Sequence, residues 1–225
     1  MSKKPDSPQL ARAGQGEKFA ELVAIISSAA PWLGGPIAEI VGGIATDLKI
    51  KRVTQFVQSV IGYADRLQSE AAEKFVKTED FIDIFEKTAQ AVANERDEAK
   101  RKLFSNYILF NISKPEIVYD QRLKVLRLLE QIDTRHIDLL AALLQQPTEQ
   151  ENRMSMGAPS TTIQRRAPKL RGDLSEVMHE TNTLGLTKLE PQYLNLNMTG
   201  SGAANLAGSV TPTGNALMAF ITTPK

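Results

Sequence analysis

Two histidines, His136 and His179, are the side chains of this 225-residue sequence whose charge ordinarily changes near neutral pH. Neither stands where catalysis needs it. His136 falls in the first turn after Asp133-Thr134, a helix-start signal, and His179 lies between Glu176 and Glu180 within a helical pattern. Each is expected to be a surface or satisfied histidine. The absence of cysteine excludes disulfides, thiolate nucleophiles and thiolate metal sites, and fits a reducing cytoplasm. Gly42-Gly43 and Gly200-Ser201-Gly202 have no following lysine and no strand-to-helix frame, so they are expected to be packing and turn residues rather than a phosphate cradle. No catalytic residue, cofactor, metal or small-molecule substrate is expected.

Two charged stretches remain. Residues 93–108, ANERDEAKRKLFSNYI, place Asp97 four before Arg101 and Glu98 four before Lys102, the favoured order on a helix, where each pair contributes about 0.2–0.5 kcal/mol. That is the pattern of a solvated helix face over Ala99, Leu103 and Tyr107. Arg165, Arg166, Lys169 and Arg171 stand together without an acid and are the candidate nucleic-acid contacts. The helix after them carries Asp173, Glu176 and Glu180, which repel phosphate, so only weak DNA binding is expected. A formal charge of +1 indicates neither a nucleic-acid coat protein nor an acidic disordered chain.

The elements that position these residues are mostly helices. Residues 1–17 are polar and mixed in charge, expected to be a flexible N-terminus rather than a cleavable signal. Residues 18–145 carry helical periodicity almost throughout and are expected to form a bundle. Phe19, Leu22, Val23 and Ile26 open it; Ile37, Ile40, Val41, Ile44 and Leu48 follow; and the stripe resumes one step out of phase at Ile50, Val53, Val57, Val60 and Ile61. Thr78 with Glu79 and Asp80 starts a helix predicted to run on through Ala99, Leu103 and Phe110. Further helices carry Leu123, Leu126 and Leu129, then Ile137, Leu140, Ala141 and Leu144.

Pro147, Gly157, Pro159 and Pro168 interrupt the pattern, so 146–169 is expected to be a flexible linker. In 170–225, Asp173-x-x-Glu176 has capping-box logic, and its helix buries Leu174, Val177, Met178 and Thr181 before Gly185 stops it. YLNLNM (193–198) alternates as a strand, LAGSV (206–210) can return, and Thr211-Pro212 starts a last helix with Leu217, Phe220 and Ile221 on one face. Helix, strand pair and closing helix resemble the tail of a winged-helix module. The fold class expected is mainly α, an N-terminal helical bundle followed by a small α+β winged-helix-like module. The charge-free tail suits contact with protein better than phosphate.

The acidic cluster before Leu103-Phe104-Ser105-Asn106, with the upstream Gly-Gly-Pro opening, resembles the bacterial abortive-infection Abi-alpha proteins and related phage-defence and prophage proteins over about residues 31–144. That resemblance implies an interaction protein in antiphage defence or prophage biology and brings no catalytic residues with it. The competing class is a winged-helix DNA-binding transcriptional regulator.

The stretch AAPWLGGPIAEIVGGIA (29–45) leaves two readings open. Spanning a bilayer takes about 20 unbroken residues, and Pro31, Gly34, Gly35 and Pro36 break this run. One reading is a buried helical hairpin around Trp32, Leu33, Gly34, Gly35, Ile37 and Ile40. The other is a hairpin that enters a membrane conditionally, with Trp32 and the cations Lys49, Lys51 and Arg52 as anchors. A protein partner or self-association is expected, in a cytoplasmic protein whose membrane association depends on that hairpin.

Overall fold

The computed structural model describes residues 47–64, 70–153 and 156–222. The N-terminus, the first predicted helix and the Trp32 hairpin (Trp32, Leu33, Gly34, Gly35, Ile37 and Ile40) lie outside the described residues. The protein is mainly helical, and among the described residues no strand forms. It divides into two units, residues 1–126 with 221–225 and residues 127–220, the boundary falling within a helix rather than at 145–146.

The first unit is built on α1 (Asp47–Ala64), α2 (Glu70–Phe75), α3 (Glu79–Asn94), α4 (Glu98–Ser113) and the start of α5 (Tyr119–Gln131). The out-of-phase stripe is the buried face of α1: Ile50, Val53, Val57, Val60 and Ile61 are inside, whereas Leu48, on the upstream phase, is 69% exposed. Burying each such side chain stabilises the fold by about 1.5–3 kcal/mol. α1 packs on both α3 and α4. Thr78 caps α3 as predicted, its hydroxyl accepting from the Phe81 N–H at 3.3 Å. Phe56, Phe75, Phe81 and Phe85 form a ring cluster with centroids 5.4–5.8 Å apart.

The predicted single helix from Thr78 to Phe110 is two helices. Glu95 is extended, and the Asp97 carboxylate accepts the Ala99 N–H at 2.8 Å, ending one helix and capping the next. The new phase buries Phe104, Tyr107, Ile108 and Ile112 and leaves Ala99 exposed. Asp97 is a cap, then, rather than the partner of Arg101.

The second unit contains the end of α5, α6 (Thr134–Leu144), α7 (Glu149–Arg153), α8 (Pro159–Arg166), α9 (Leu174–Thr183), α10 (Pro191–Leu194), α11 (Gly200–Ala204) and α12 (Pro212–Ile221), whose last residue belongs to the first unit. Within 146–169, expected to be a linker, two helices form. Thr148-x-x-Glu151 is a reciprocal capping box, with the Glu151 carboxylate accepting the Thr148 N–H at 2.9 Å and the Thr148 hydroxyl accepting the Glu151 N–H at 3.2 Å. Pro159 sits in the first turn of α8, where its missing N–H costs nothing.

The Asp173-x-x-Glu176 box does not form. Asp173 makes no side-chain cap and instead accepts Arg135 Nη1 at 3.4 Å. Leu174, Val177, Met178 and Thr181 are nevertheless all buried, because periodicity rather than the cap sets the face. The strand pair expected of a winged helix is likewise replaced: Tyr193 and Leu194 close α10, residues 200–204 are helical, and extended pairing is confined to the single bridges Gly157–Met198 and Thr187–Val210. Pro191 at a helix start and Thr199 capping α11 outweigh the short alternation.

Two glycines answer to geometry. Gly185, at φ 69°, takes the left-handed conformation after α9, its N–H donating to Asn182 O and the Leu186 N–H to Thr181 O, each at 2.9 Å. Gly214 lies inside α12 where a Cβ would strike Leu186 O and sit 2.8 Å from Val210 Cγ1. Gly→Ala in a free helix ordinarily gains about 1 kcal/mol. Here Gly214→Ala is expected to lose about 1–3 kcal/mol through overpacking. Urea denaturation decides between the signs, and a stabilised variant would refute the close approach.

Candidate functional site

The four predicted phosphate contacts part company. Arg166 of α8 is interior, its side chain 2% exposed, and it clasps Glu151, Nε to Oε1 at 3.1 Å and Nη2 to Oε2 at 2.8 Å. Its remaining N–H groups go to Ala142 O at 2.8 Å, Gln145 O at 3.0 Å and Ala204 O at 3.0 Å. Arg165 donates to Glu151 Oε1 at 2.9 Å. The Arg166 hydrogen bonds hold the Glu151 carboxyl down, from 4.5 to about 2, against burial, with help from the Thr148 N–H and Arg165. Lys169 and Arg171 are exposed. Arg166 with Glu151 is therefore a buried lock joining α6, α7, α8 and α11, and Arg165, whose side chain is 41% exposed, pairs with it from the surface.

The histidines are structural or peripheral. His136 is buried, and its Nδ1 accepts the Asp133 N–H at 3.1 Å while the Asp133 carboxylate accepts the Arg135 and His136 N–H groups. Nδ1 also lies 2.9 Å from Asp133 Oδ1, so the ring is held in the cap by Asp133. Nε2 lies 2.9 Å from Glu180 Oε2, but neither atom has a properly directed hydrogen bond. His179 is exposed.

A polar groove of about 310 Å³ lies in the first unit between α1 and α4. Arg52, Gln55 and Ser59 enter from α1, and Glu98, Arg101, Lys102 and Ser105 enter from α4 at the i, i+3, i+4, i+7 spacing of one helical face. The solvated face expected over this part of 93–108 is one wall of the groove, and the facing stripe on α1 was not expected from the sequence. The usable signal was two polar stripes on helices whose opposite faces are apolar. Arg52 Nη1 donates to Ala93 O at 2.9 Å, and Arg101 Nη1 to Arg96 O at 2.8 Å and Glu95 O at 3.3 Å, so both guanidinium groups converge on the C-terminal end of α3. Lys102 pairs with Glu98 at 3.2 Å.

In the second unit the surface around the Gly157–Met198 bridge has another character. Met156 and Leu196 are 55% and 52% exposed, and residues 191–222 carry no charged side chain. Among the described residues no group of acids and histidines is gathered to hold a metal ion, and no helix is long and apolar enough to cross a membrane. Comparison with known proteins returns no match: no family model, no curated protein and no solved structure is similar to the chain.

Proposed function

We propose that this chain is a non-enzymatic interaction protein of bacterial antiphage defence or prophage biology, acting through protein contacts. The observation that carries the reading is the exposure of Met156 and Leu196, each more than half exposed, together with the run 191–222, which has no charged side chain. Apolar exposure of that kind marks a contact surface rather than a catalytic one. The resemblance to Abi-alpha proteins supplies the biological setting. The Trp32 hairpin belongs to the same proposal as a segment that enters membranes conditionally, supported by its uncharged run and by Lys49 and Lys51 beside it. DNA binding is a weaker reading, because Arg166 is interior and both Arg165 and Arg166 are engaged by Glu151, although Arg165, Lys169 and Arg171 are exposed.

Phage plating on bacteria expressing the chain tests this proposal. Expression is expected to lower plating efficiency, and His179→Ala, which alters an exposed histidine, is expected to protect as well as the unaltered chain. Loss of protection by His179→Ala with an unchanged melting midpoint would argue for catalysis instead.

A further inference from the structure

We propose that the groove between α1 and α4 binds the phosphate chain of an organic di- or triphosphate. Three cations, Arg52, Arg101 and Lys102, share a groove that holds one acid, Glu98. Among the described residues neither arginine has a carboxylate within ion-pair distance. Each is anchored through Nη1 to main-chain carbonyls at the end of α3, which fixes the guanidinium without cancelling its charge. A guanidinium has five N–H donors in a planar fork, and among the described residues the hydrogen bonds of both groups use Nη1, leaving Nε and Nη2 for a ligand.

Helix capping accounts for the anchored nitrogens. It does not account for two uncancelled arginines, a lysine, Gln55 and Ser59 arranged round one opening. A single carboxylate would leave most of these donors idle, whereas a phosphate chain offers several acceptor oxygens and enough negative charge to match them. The volume, about 310 Å³, sits at the small end of ligand sites, the size of a mononucleotide's phosphates and sugar rather than of a polymer. Glu98 opposes binding: it holds Lys102 at 3.2 Å and repels an incoming anion, so a ligand must draw Lys102 away from it.

Titration calorimetry on the full chain, with inorganic tripolyphosphate and ATP as separate probes in buffer matched with potassium sulfate, tests the assignment. Saturable binding of one ligand per chain is expected. Arg101→Gln, which removes a cation and its charge-assisted hydrogen bonds, and Lys102→Glu, which reverses a charge, should each weaken it by about tenfold or more. Glu98→Gln should tighten it, a change of sign that a merely damaged fold does not produce. Lys102 is 73% exposed, so its variant keeps the test valid if Arg101→Gln fails to fold. Equal affinity for both probes means that the groove reads phosphate alone, and tighter ATP binding means that it also reads the nucleoside; either supports the proposal. No saturable binding at millimolar probe, or binding that these three variants leave unchanged, overturns it.

Discussion

Arg122→Ala is expected to destabilise the protein by about 3–5 kcal/mol, the range found when a buried charge and its partners are separated. Arg122, on α5, is 1% exposed and engages every kind of donor it has. Nε donates to Ile117 O at 2.9 Å, Nη1 to Asn111 O at 3.1 Å and Asn111 Oδ1 at 2.8 Å, and Nη2 to Lys114 O at 3.0 Å and Pro115 O at 2.9 Å. These carbonyls belong to the end of α4 and the loop after it, the negative end of the helix dipole, so one side chain from the following helix caps α4 and organises the loop.

The guanidinium also lies 4.1 Å from the Phe75 ring centroid. Burial pushes the Arg122 pKa down, yet arginine remains charged, and the carbonyl dipoles stand where a carboxylate would otherwise be needed. Arg122→Lys should recover less than half of the loss, since an ammonium has three donors and no planar fork. Arg122→Met should recover little, because the orphaned acceptors are main-chain groups that no apolar side chain can replace. Urea denaturation of the three variants checks the ranking; a loss under about 1 kcal/mol for Arg122→Ala would refute the capping role.

The second large effect lies at Glu151, buried with Arg166. Because the folded pKa, about 2, is below the ordinary 4.5, the carboxylate stabilises the fold fully above about pH 4.5, and this contribution drains away as pH falls towards 2. The shift corresponds to about 3 kcal/mol. Glu151→Gln should cost about 3–5 kcal/mol at neutral pH, since Arg166 is then left interior and uncompensated. It should also flatten the dependence of stability on pH across that acid range. Denaturation series at several acidic pH values read both effects, and an unchanged acid slope in Glu151→Gln would contradict the lock.

What the sequence revealed and what it hid divides along chain distance. Thr78, Asp133, Gly185 and Thr211 mark helix boundaries by hydrogen bonds to residues at most four away, and their signals were legible. The buried set of α9 was legible because the 3.6-residue period holds for a whole helix. Thr148-x-x-Glu151 was equally local but lay among prolines and glutamines that read as a connector. Asp97 was misread because its spacing to Arg101 fits an ion pair as well as a cap. The roles of Arg122 and Arg166 were not legible: arginine is ordinarily a surface residue, and what buries these two is a set of carbonyls that only folding brings together. The candidate groove had the same difficulty, since Arg52 and Arg101 lie 49 positions apart in the sequence and meet only when α1 packs on α4.

Interaction through the surface that carries Met156 and Leu196 is tested by phage plating with the Met156→Asp, Leu196→Asp double variant. Both side chains are more than half exposed, so the variant is expected to keep the melting midpoint of the unaltered chain. At that matched stability protection is expected to be lost, because two charges replace the exposed apolar side chains. A double variant that folds normally and still lowers plating efficiency as the unaltered chain does would contradict it.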